Sequence, residues 1–523
     1  MYFSPAKKYN MRNRLLPLLI LLFGTSTSFA QEDSAVETVN KAINNGMWWT
    51  DYVVKFVFAD FKLMGTSIPY VLVWLILGAI FFTVRMNFIN ISGFKHAIRI
   101  VKGDYDDLLH DEDDKEAGQV SHFQALATAL SGTVGLGNIA GVAVAVAAGG
   151  PGATFWMIVA GILGMSTKFV ECTLGVKYRE EKKDGSVSGG PMYYLSKGLA
   201  KRGMPALGKV LGVFFAICCV GGSFGGGNMF QVNQAREQFL ALPLFEGTFM
   251  ATEGGWVLFG IIMAVAVGVV IIGGIQSIAK VTDKIVPFMC GLYVVAAVVV
   301  LVANIGEIPG AFGAIFKGAF SPEAAFGGVL GVLIQGFRRA AFSNEAGIGS
   351  ASIAHSAVKT KEPVTEGLVA LLEPFIDTVV VCTMTALVLV ITGVYDNPEL
   401  SGVGMTSVAF ESVFGSIANV ILTIAVVLFA FSTMISWSYY GLKSWTFIFG
   451  ESKGSEIVYK MVFLLFVVIG AVLTLGKVVD FSDSMIFAMC FPNIIGLYIL
   501  SSEVKGDLGN FLAKLGHGSQ TID

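Results

Sequence analysis

The chain is dominated by about eleven apolar segments, each close to the roughly 20 residues that an α-helix needs to cross a lipid bilayer. Charged residues make up 14% of the 523 residues, whereas a soluble protein carries about 25%. The sequence therefore predicts an all-α polytopic membrane protein in contact with the lipid bilayer, and no basic cluster indicates nucleic-acid binding. The predicted spans lie near residues 68–88, 120–148, 152–178, 208–238, 256–275, 284–304, 323–356, 367–393, 405–440, 457–476 and 479–500.

The loops between these segments alternate in charge. Lys and Arg cluster in residues 85–102, 177–209, 280–284 and 359–361, and they recur at 443–453 and 505–514. The intervening loops near 149–151, 240–255 and 394–404 contain neither residue type. Because basic loops stay on the cytosolic side of a membrane, the pattern predicts a cytosolic carboxy terminus in the inner (plasma) membrane of a bacterium.

The first 30 residues have the pattern of a secretory signal peptide. Four basic residues precede the apolar run 15–23, and small residues stand before Gln31, as at a cleavage site. An uncleaved first helix is the alternative, although the run is short for a span. We therefore expect a signal peptide at 1–30, an exterior segment at 31–67, a transmembrane domain at 68–500 and a cytosolic tail at 501–523.

Two of the predicted spans carry residues that interrupt a helix. Residues 131–138 read SGTVGLGN, with three glycines in six positions, and such a break in a membrane is tolerated where it lines a cavity or binds something. Close packing of small faces is the alternative. The span 323–356 contains Arg338, Arg339 and Glu345, which are costly in lipid unless they face protein or water.

The interrupted spans are the first and the sixth when the span at 68–88 is set aside. This placement predicts two inverted repeats of five helices, each opened by a broken helix, with one extra amino-terminal transmembrane helix. In such proteins the half-helix ends and freed carbonyls bind a small solute and a cation.

Several polar residues within the spans are candidates for such a site. Gln231 lies in an amide-rich helical segment, and it either reaches a polar substrate or bonds a neighbouring helix. Thr433 and Trp437 are one helical turn apart and would form one wall of a small pocket. Ser432 and Thr433 offer two oxygen ligands to a hard cation, or they bond back to their own helix. Asp377 is a further functional candidate because it is an acid within a span.

The sequence matches the known motifs of enzymes only weakly. The segment 221–225 reads GGSFG and matches the elbow of serine hydrolases, but it lies in a glycine-rich helix without a marked His partner. The sequence therefore predicts that the protein is not an enzyme and has no cofactor.

Six longer motifs resemble the alanine or glycine:cation symporter family. They are GTVGLGNIAG at 132–141, GGPGATFWM at 149–157, GMSTKFVE at 164–171, GGPMYY at 189–194, FSNEAG at 342–347 and FIDT at 375–378. The resemblance covers nearly all of the chain after about residue 68. It implies a leucine-transporter-type fold and sodium-coupled uptake of a small neutral amino acid.

The resemblance also implies roles for individual residues. Backbone groups at Gly132, Leu136 and Gly137 would hold the substrate carboxylate. The rest of the pocket would come from Gln231, Phe337, Ala341, Thr433 and Trp437. One sodium site would contain Ser131, Val134, Ser432 and Thr433, with Asn138 a candidate for another. Leu136 and Ala341 depart from the usual family residues, so alanine, glycine and serine are not ranked.

The sequence as a whole predicts symport of alanine or glycine with Na⁺ into the cell by alternating access. Two alternatives stay open. One is a proton-coupled transporter of another small zwitterion, and the other is a channel-like membrane protein.

Overall fold

The computed structural model describes residues 38, 41–42, 49–63, 65–105, 118–183, 185–321, 328–473 and 475–518. The predicted signal peptide lies outside these residues, as do most of residues 31–48 and the end of the predicted tail at 519–523.

Helices form nearly all of the described chain. In order they are α1 (Thr50–Val57), α2 (Tyr70–Arg85), α3 (Phe94–Lys102), α4 (His122–Thr133), α5 (Gly137–Gly149), α6 (Gly152–Lys177), α7 (Pro205–Leu240), α8 (Glu253–Ile271), α9 (Gly274–Ala303), α10 (Ile308–Phe320), α11 (Gly328–Asn344), α12 (Ala351–His355), α13 (Pro363–Thr392), α14 (Gly402–Phe414), α15 (Ile417–Phe449), α16 (Lys453–Val472) and α17 (Leu475–Gly518).

Short elements connect these helices. An antiparallel hairpin of β1 (Asp60–Leu63) and β2 (Thr66–Pro69) precedes α2. A second, two-residue pair, β3 (Glu180–Glu181) and β4 (Val187–Ser188), follows α6. Helical turns occupy Ile89–Ser92 and residues 191–201. Single turns lie at Pro243–Phe245, Phe249–Ala251, Ile305–Glu307 and Val394–Asp396.

Within the described residues, eight helices are long and apolar enough to cross a membrane, and nine if the bent pair α4 and α5 is counted as one span. The predicted number of about eleven is reached only if α2 and the pair α11 and α12 also cross. The predicted span 405–440 consists of two helices, α14 and α15, because the chain turns at Gly415, whose φ is +58°.

The two predicted interruptions are confirmed. Helix α4, which is capped by Ser121, ends at Thr133, and α5 continues from Gly137 at an angle of 52°. Helix α11 ends at Asn344, and α12 begins only at Ala351. When α2 and the pair α11 and α12 are counted as spans, each interrupted helix opens a set of five. This agrees with the leucine-transporter-type 5+5 arrangement and with α2 as the extra amino-terminal helix.

Ion pairs and ring contacts distinguish the two ends of the molecule. At one end Lys177 pairs with Asp507 at 2.6 Å and Arg202 with Glu503 at 2.9 Å, which joins the basic loop after α6 to the last turns of α17. We call this the basic end. At the other, Trp49 and Phe58 make edge-to-face contacts with Phe481 and Phe487 in the first turns of α17. We call this the hairpin end, because Phe58 directly precedes the β1–β2 hairpin.

Candidate functional site

A small cavity lies where the two helix breaks face each other, and we call it the central cavity. Residues of the first break and of the end of α11 meet there with residues of α7, α15 and α17. Its lining consists of Gly132, Thr133, Gly135, Gly137, Gly226, Gln231, Phe342, Glu345, Trp437 and Ile486.

Two glycines are required here by the closeness of neighbouring helices. A Cβ atom at Gly135 would lie 2.5 Å from Thr433 Oγ1, and one at Gly227 would lie 2.2 Å from Trp437 Cγ. Any larger residue would therefore push α15 away from the first break and from α7. The glycine-rich sequence both breaks α4 and lets Thr433 and Trp437 approach.

Side chains satisfy backbone groups that the first break leaves without a helical partner. The Leu136 N–H donates to Gln231 Oε1 at 3.2 Å, and the Gly135 N–H donates to Asn138 Oδ1 at 2.9 Å. The Gln231 amide nitrogen donates in turn to the Gly226 carbonyl at 2.8 Å. Gln231 thus lines the cavity and bonds the first break, and its contact with a substrate stays a prediction.

The four residues expected at one sodium site lie where the first break packs on α15. Ser131 Oγ donates to the Ser432 carbonyl at 2.6 Å, and Ser432 Oγ donates to the Phe429 carbonyl at 3.0 Å. The Thr433 hydroxyl is buried and has no hydrogen-bond partner among the residues that the structure describes. Val134 is fully buried and adjoins Gly135, which contacts Thr433.

A second polar group, which we call the Asp377 cluster, surrounds a buried carboxylate. Asn138 Nδ2 donates to Asp377 Oδ1 at 2.6 Å. Ser343 Oγ and Thr378 Oγ1 donate to Asp377 Oδ2 at 2.9 and 2.6 Å. The cluster joins the start of α5, the end of α11 and the π-helical segment Phe375–Cys382 of α13. The cluster offers carboxylate and hydroxyl oxygens, which suit a hard cation, and the Cys382 sulfur lies beside them, 3.3 Å from Asn138 Nδ2.

Phe337 and Ala341 lie elsewhere. Both line a separate cavity between α11, α2 and α6, together with Leu72, Leu75, Ala79, Ala160, Gly164, Asn344 and Ala346. They are four residues apart and share one face of α11, whereas Phe342, on another face, lines the central cavity. The side chain of Leu136 is fully buried, and its N–H makes the bond to Gln231.

Sequence reasoning missed several cavity residues. Glu345 carried a signal, because an acid within a span is a functional candidate, but its place at the cavity was not predicted. Ile486 carried none, since it is one apolar residue of an apolar helix.

Charged side chains form a group on each side of the cavity. At the hairpin end Arg338 pairs with Asp483 at 2.8 Å, Arg339 lies 3.9 Å from the same carboxylate, and the Arg338 guanidinium lies 4.5 Å from the Phe58 ring centre. We call these four residues the hairpin-end cluster.

The basic-end cluster comprises His122, Lys168, His355, Glu366 and Glu373. Lys168 pairs with Glu373 at 2.9 Å. His355 lies 3.4 Å from Glu373 and 2.5 Å from Glu366, and His122 contacts the other oxygen of Glu366. Arg338, Glu345 and His355 follow one another along α11, its break and α12, so the cavity lies between the two clusters.

The model of the sodium:alanine symporter family matches residues 51–522. The sodium/alanine symporter AgcS of Methanococcus maripaludis is 42% identical over 451 residues, which are 85% of this chain and 94% of AgcS. A protein of Bacillus subtilis described as the probable sodium/glutamine symporter GlnT is 36% identical, over 85% of this chain and 88% of its own length.

A solved structure supports the fold. MhsT in complex with L-phenylalanine, a transporter of the leucine-transporter fold, matches 72% of this chain and 87% of its own length with a TM-score of 0.50. The two sequences are 17% identical, so this likeness concerns the fold alone. With the family model spanning nearly all of the described residues, the chain belongs to the sodium:alanine symporter family and is a multi-pass membrane protein for sodium-coupled amino-acid symport.

Proposed function

We propose that the protein carries alanine or glycine into the cell together with Na⁺, by alternating access to the central cavity. The observation that carries this proposal is the meeting of two helix breaks around a cavity lined by four glycines. Glycine side chains occupy no space, while Phe342, Trp437 and Ile486 limit the room for a substrate side chain.

The ends of the half-helices would orient the substrate. The first turn of α5 presents backbone N–H groups and the positive end of the helix dipole, which favour a carboxylate. Gln231 holds the Leu136 N–H beside Gly137, so it fixes the geometry of this turn. The substrate carboxylate would therefore lie against Gly132, Leu136 and Gly137, with Thr433 and Trp437 forming the opposite wall.

Two sodium sites flank this pocket in the proposal. The first would contain Ser131, Val134, Ser432 and Thr433, and the unpartnered Thr433 hydroxyl supports it, because a buried hydroxyl without a partner costs free energy that a cation would recover. The second would be the Asp377 cluster, in which Asn138 takes part. Its carboxylate would balance the charge of the ion.

Binding of both ligands at one helix break gives a route to coupling. Sodium at either site would fix the backbone from Ser131 to Asn138, which also contacts the substrate. Each ligand then favours the bound state of the other, as reciprocal linkage requires. Entry of one Na⁺ contributes about 2.3 kcal/mol per 100 mV of membrane potential.

The protein would lie in a bacterial inner membrane with its basic end in the cytosol. The ion pairs of α17 place the basic loops beside the carboxy-terminal helix, which agrees with the positive-inside rule. Residues 1–30 would be the signal peptide, and the hairpin end would face outward.

The test is uptake of radiolabelled alanine into proteoliposomes with an inward Na⁺ gradient, compared with matched K⁺. We expect Na⁺-dependent uptake in the wild type and its loss in Gln231→Ala, with competition by unlabelled glycine. Gln238→Ala is the matched control, because Gln238 is a buried amide on the same helix that bonds Ser407 away from the cavity.

The alternatives give other results. Uptake that ignores Na⁺ and collapses with the pH gradient would indicate proton coupling. Ion flux without substrate would indicate a channel. No uptake of alanine or glycine would contradict the proposed substrate.

A further inference from the structure

The carboxyl group of Glu345 is buried at the wall of the central cavity. The residue is 3% exposed and directly follows the last residue of α11. Its φ is +56°, a left-handed conformation that is uncommon for a residue with a side chain. One oxygen accepts from Trp437 Nε1–H at 3.0 Å, and the other accepts from the Ser350 hydroxyl.

Both of these donors are neutral. Glu373 pairs with Lys168, Asp483 with Arg338 and Glu366 with two histidines. Glu345 makes no ion pair with any residue that the structure describes. The same is true of Asp377 and Glu171, but neither of them lines the central cavity. Lys168, the amine of the basic-end cluster, is held by Glu373 at 2.9 Å. An ionised carboxylate out of water is strongly disfavoured unless a cation pairs with it, so this position is suited to a positively charged ligand.

The two helix ends nearest to Glu345 carry partial charges of the same sign. Helix α11 ends at the preceding residue, and α4 ends at Thr133, which also lines the cavity. The last carbonyls of both helices carry partial negative charge. The start of α5, with its N–H groups, supplies the opposite sign. The cavity therefore has a negative part at Glu345 and a positive part at Gly137.

We propose that Glu345 binds the ammonium group of the substrate and so selects amino acids over acids that lack an amine. The inference deepens the proposed function and rests on it. Trp437 and Ser350 hold the carboxylate in place, and the substrate carboxylate lies toward the first turn of α5. Lactate and propionate, which match alanine in size but lack its amine, would leave Glu345 without the cation that this inference places beside it.

The experiment is alanine uptake by Glu345→Gln in proteoliposomes. Glutamine has the same shape and keeps an acceptor for Trp437. A hydrogen bond between charged groups contributes about 1.5–3 kcal/mol, so we expect the KM for alanine to rise by roughly 10- to 100-fold. The control is Glu171→Gln, a buried carboxylate near Lys168 that bonds Asn493 and does not line the cavity. Its KM should stay within about two-fold of wild type.

A second measurement does not depend on a stable variant. Wild-type alanine uptake should be inhibited by glycine and left unchanged by a large excess of lactate or propionate. Equal inhibition by lactate would overturn the inference, as would an unchanged KM in Glu345→Gln. A variant that alters only the pH dependence would also overturn it and would make Glu345 a proton carrier. Wild-type protein that transports lactate and no amino acid would overturn the proposed function as well.

Discussion

The hairpin-end and basic-end clusters lie on opposite sides of one cavity, but they differ in burial. In the hairpin-end cluster the Arg338 side chain is 29% exposed, while Arg339 is 12% and Asp483 2% exposed. In the basic-end cluster Lys168, His355, Glu366 and Glu373 are fully buried, and only His122 has an exposed fraction, of 12%. Separating charges near water costs little because water replaces the lost partner, whereas separating buried charges leaves them without compensation.

The two clusters also differ in the number of interacting groups that separate the cavity from each end of the protein. The hairpin end is closed by one arginine pair with an aromatic ring over it. The basic end is closed by five charged or titratable groups from α4, α6, α12 and α13. We infer that the hairpin side opens with a smaller change in free energy, and that opening the basic end requires these helices to separate in concert.

The largest effect should follow from breaking the buried pair. Lys168→Met leaves Glu373 and Glu366 buried with only histidines as partners, and loss of one member of a buried pair costs about 3–5 kcal/mol. We expect strongly reduced thermal stability in detergent, measured by fluorescence-detected size exclusion. The double variant Lys168→Met with Glu373→Gln should recover much of the loss. Wild-type stability of Lys168→Met would contradict the difference between the two ends.

A smaller effect on stability is expected at the hairpin end. Arg338→Ala leaves the buried Asp483 with Arg339 at 3.9 Å as its partner, so we expect a loss of stability below the roughly 3–5 kcal/mol of a fully broken buried pair. Transport should change more than stability, because the closure at this end is weakened. We expect alanine binding within about two-fold of wild type and a clear fall in the uptake rate.

Arg338→Ala combined with Asp483→Asn forms a double-mutant cycle that measures the pair itself. A coupling near zero in both stability and uptake would mean that the ion pair does not close this end.

The smallest effect should come from the ring over the arginine. Phe58→Leu removes a cation–π contact whose contribution is about 0.5–1 kcal/mol at an exposed site. We expect a small fall in the uptake rate, less than that of Arg338→Ala, because the same hairpin-end closure is weakened to a lesser degree. Phe61→Leu is the control, since that ring stacks on Tyr70 and not on Arg338. An equal effect in both variants would mean that packing of the hairpin, and not the cation–π contact, determines the uptake rate.

Sequence reasoning reached the fold because helix breaks and span lengths are local properties. Residues 131–138 contain glycines that weaken a helix locally, and so do residues 342–350. It reached Gln231 and Trp437 because amides and indoles are unusual within a span. It reached neither the position of Phe337 and Ala341 nor that of Glu345 at the cavity, because which face of α11 meets the cavity depends on how α11 packs.

The sequence by itself determined the membrane class, the spacing of the spans, the two interruptions and the family motifs. Only the tertiary structure decided which polar residues meet. Asn138 and Asp377 are 239 residues apart, and so are not linked by any local period. Glu345 meets Trp437 across 92 residues, and His122 meets Glu366 across 244. The physical reason is that a buried polar group requires a partner, but its own segment does not specify which distant helix supplies it.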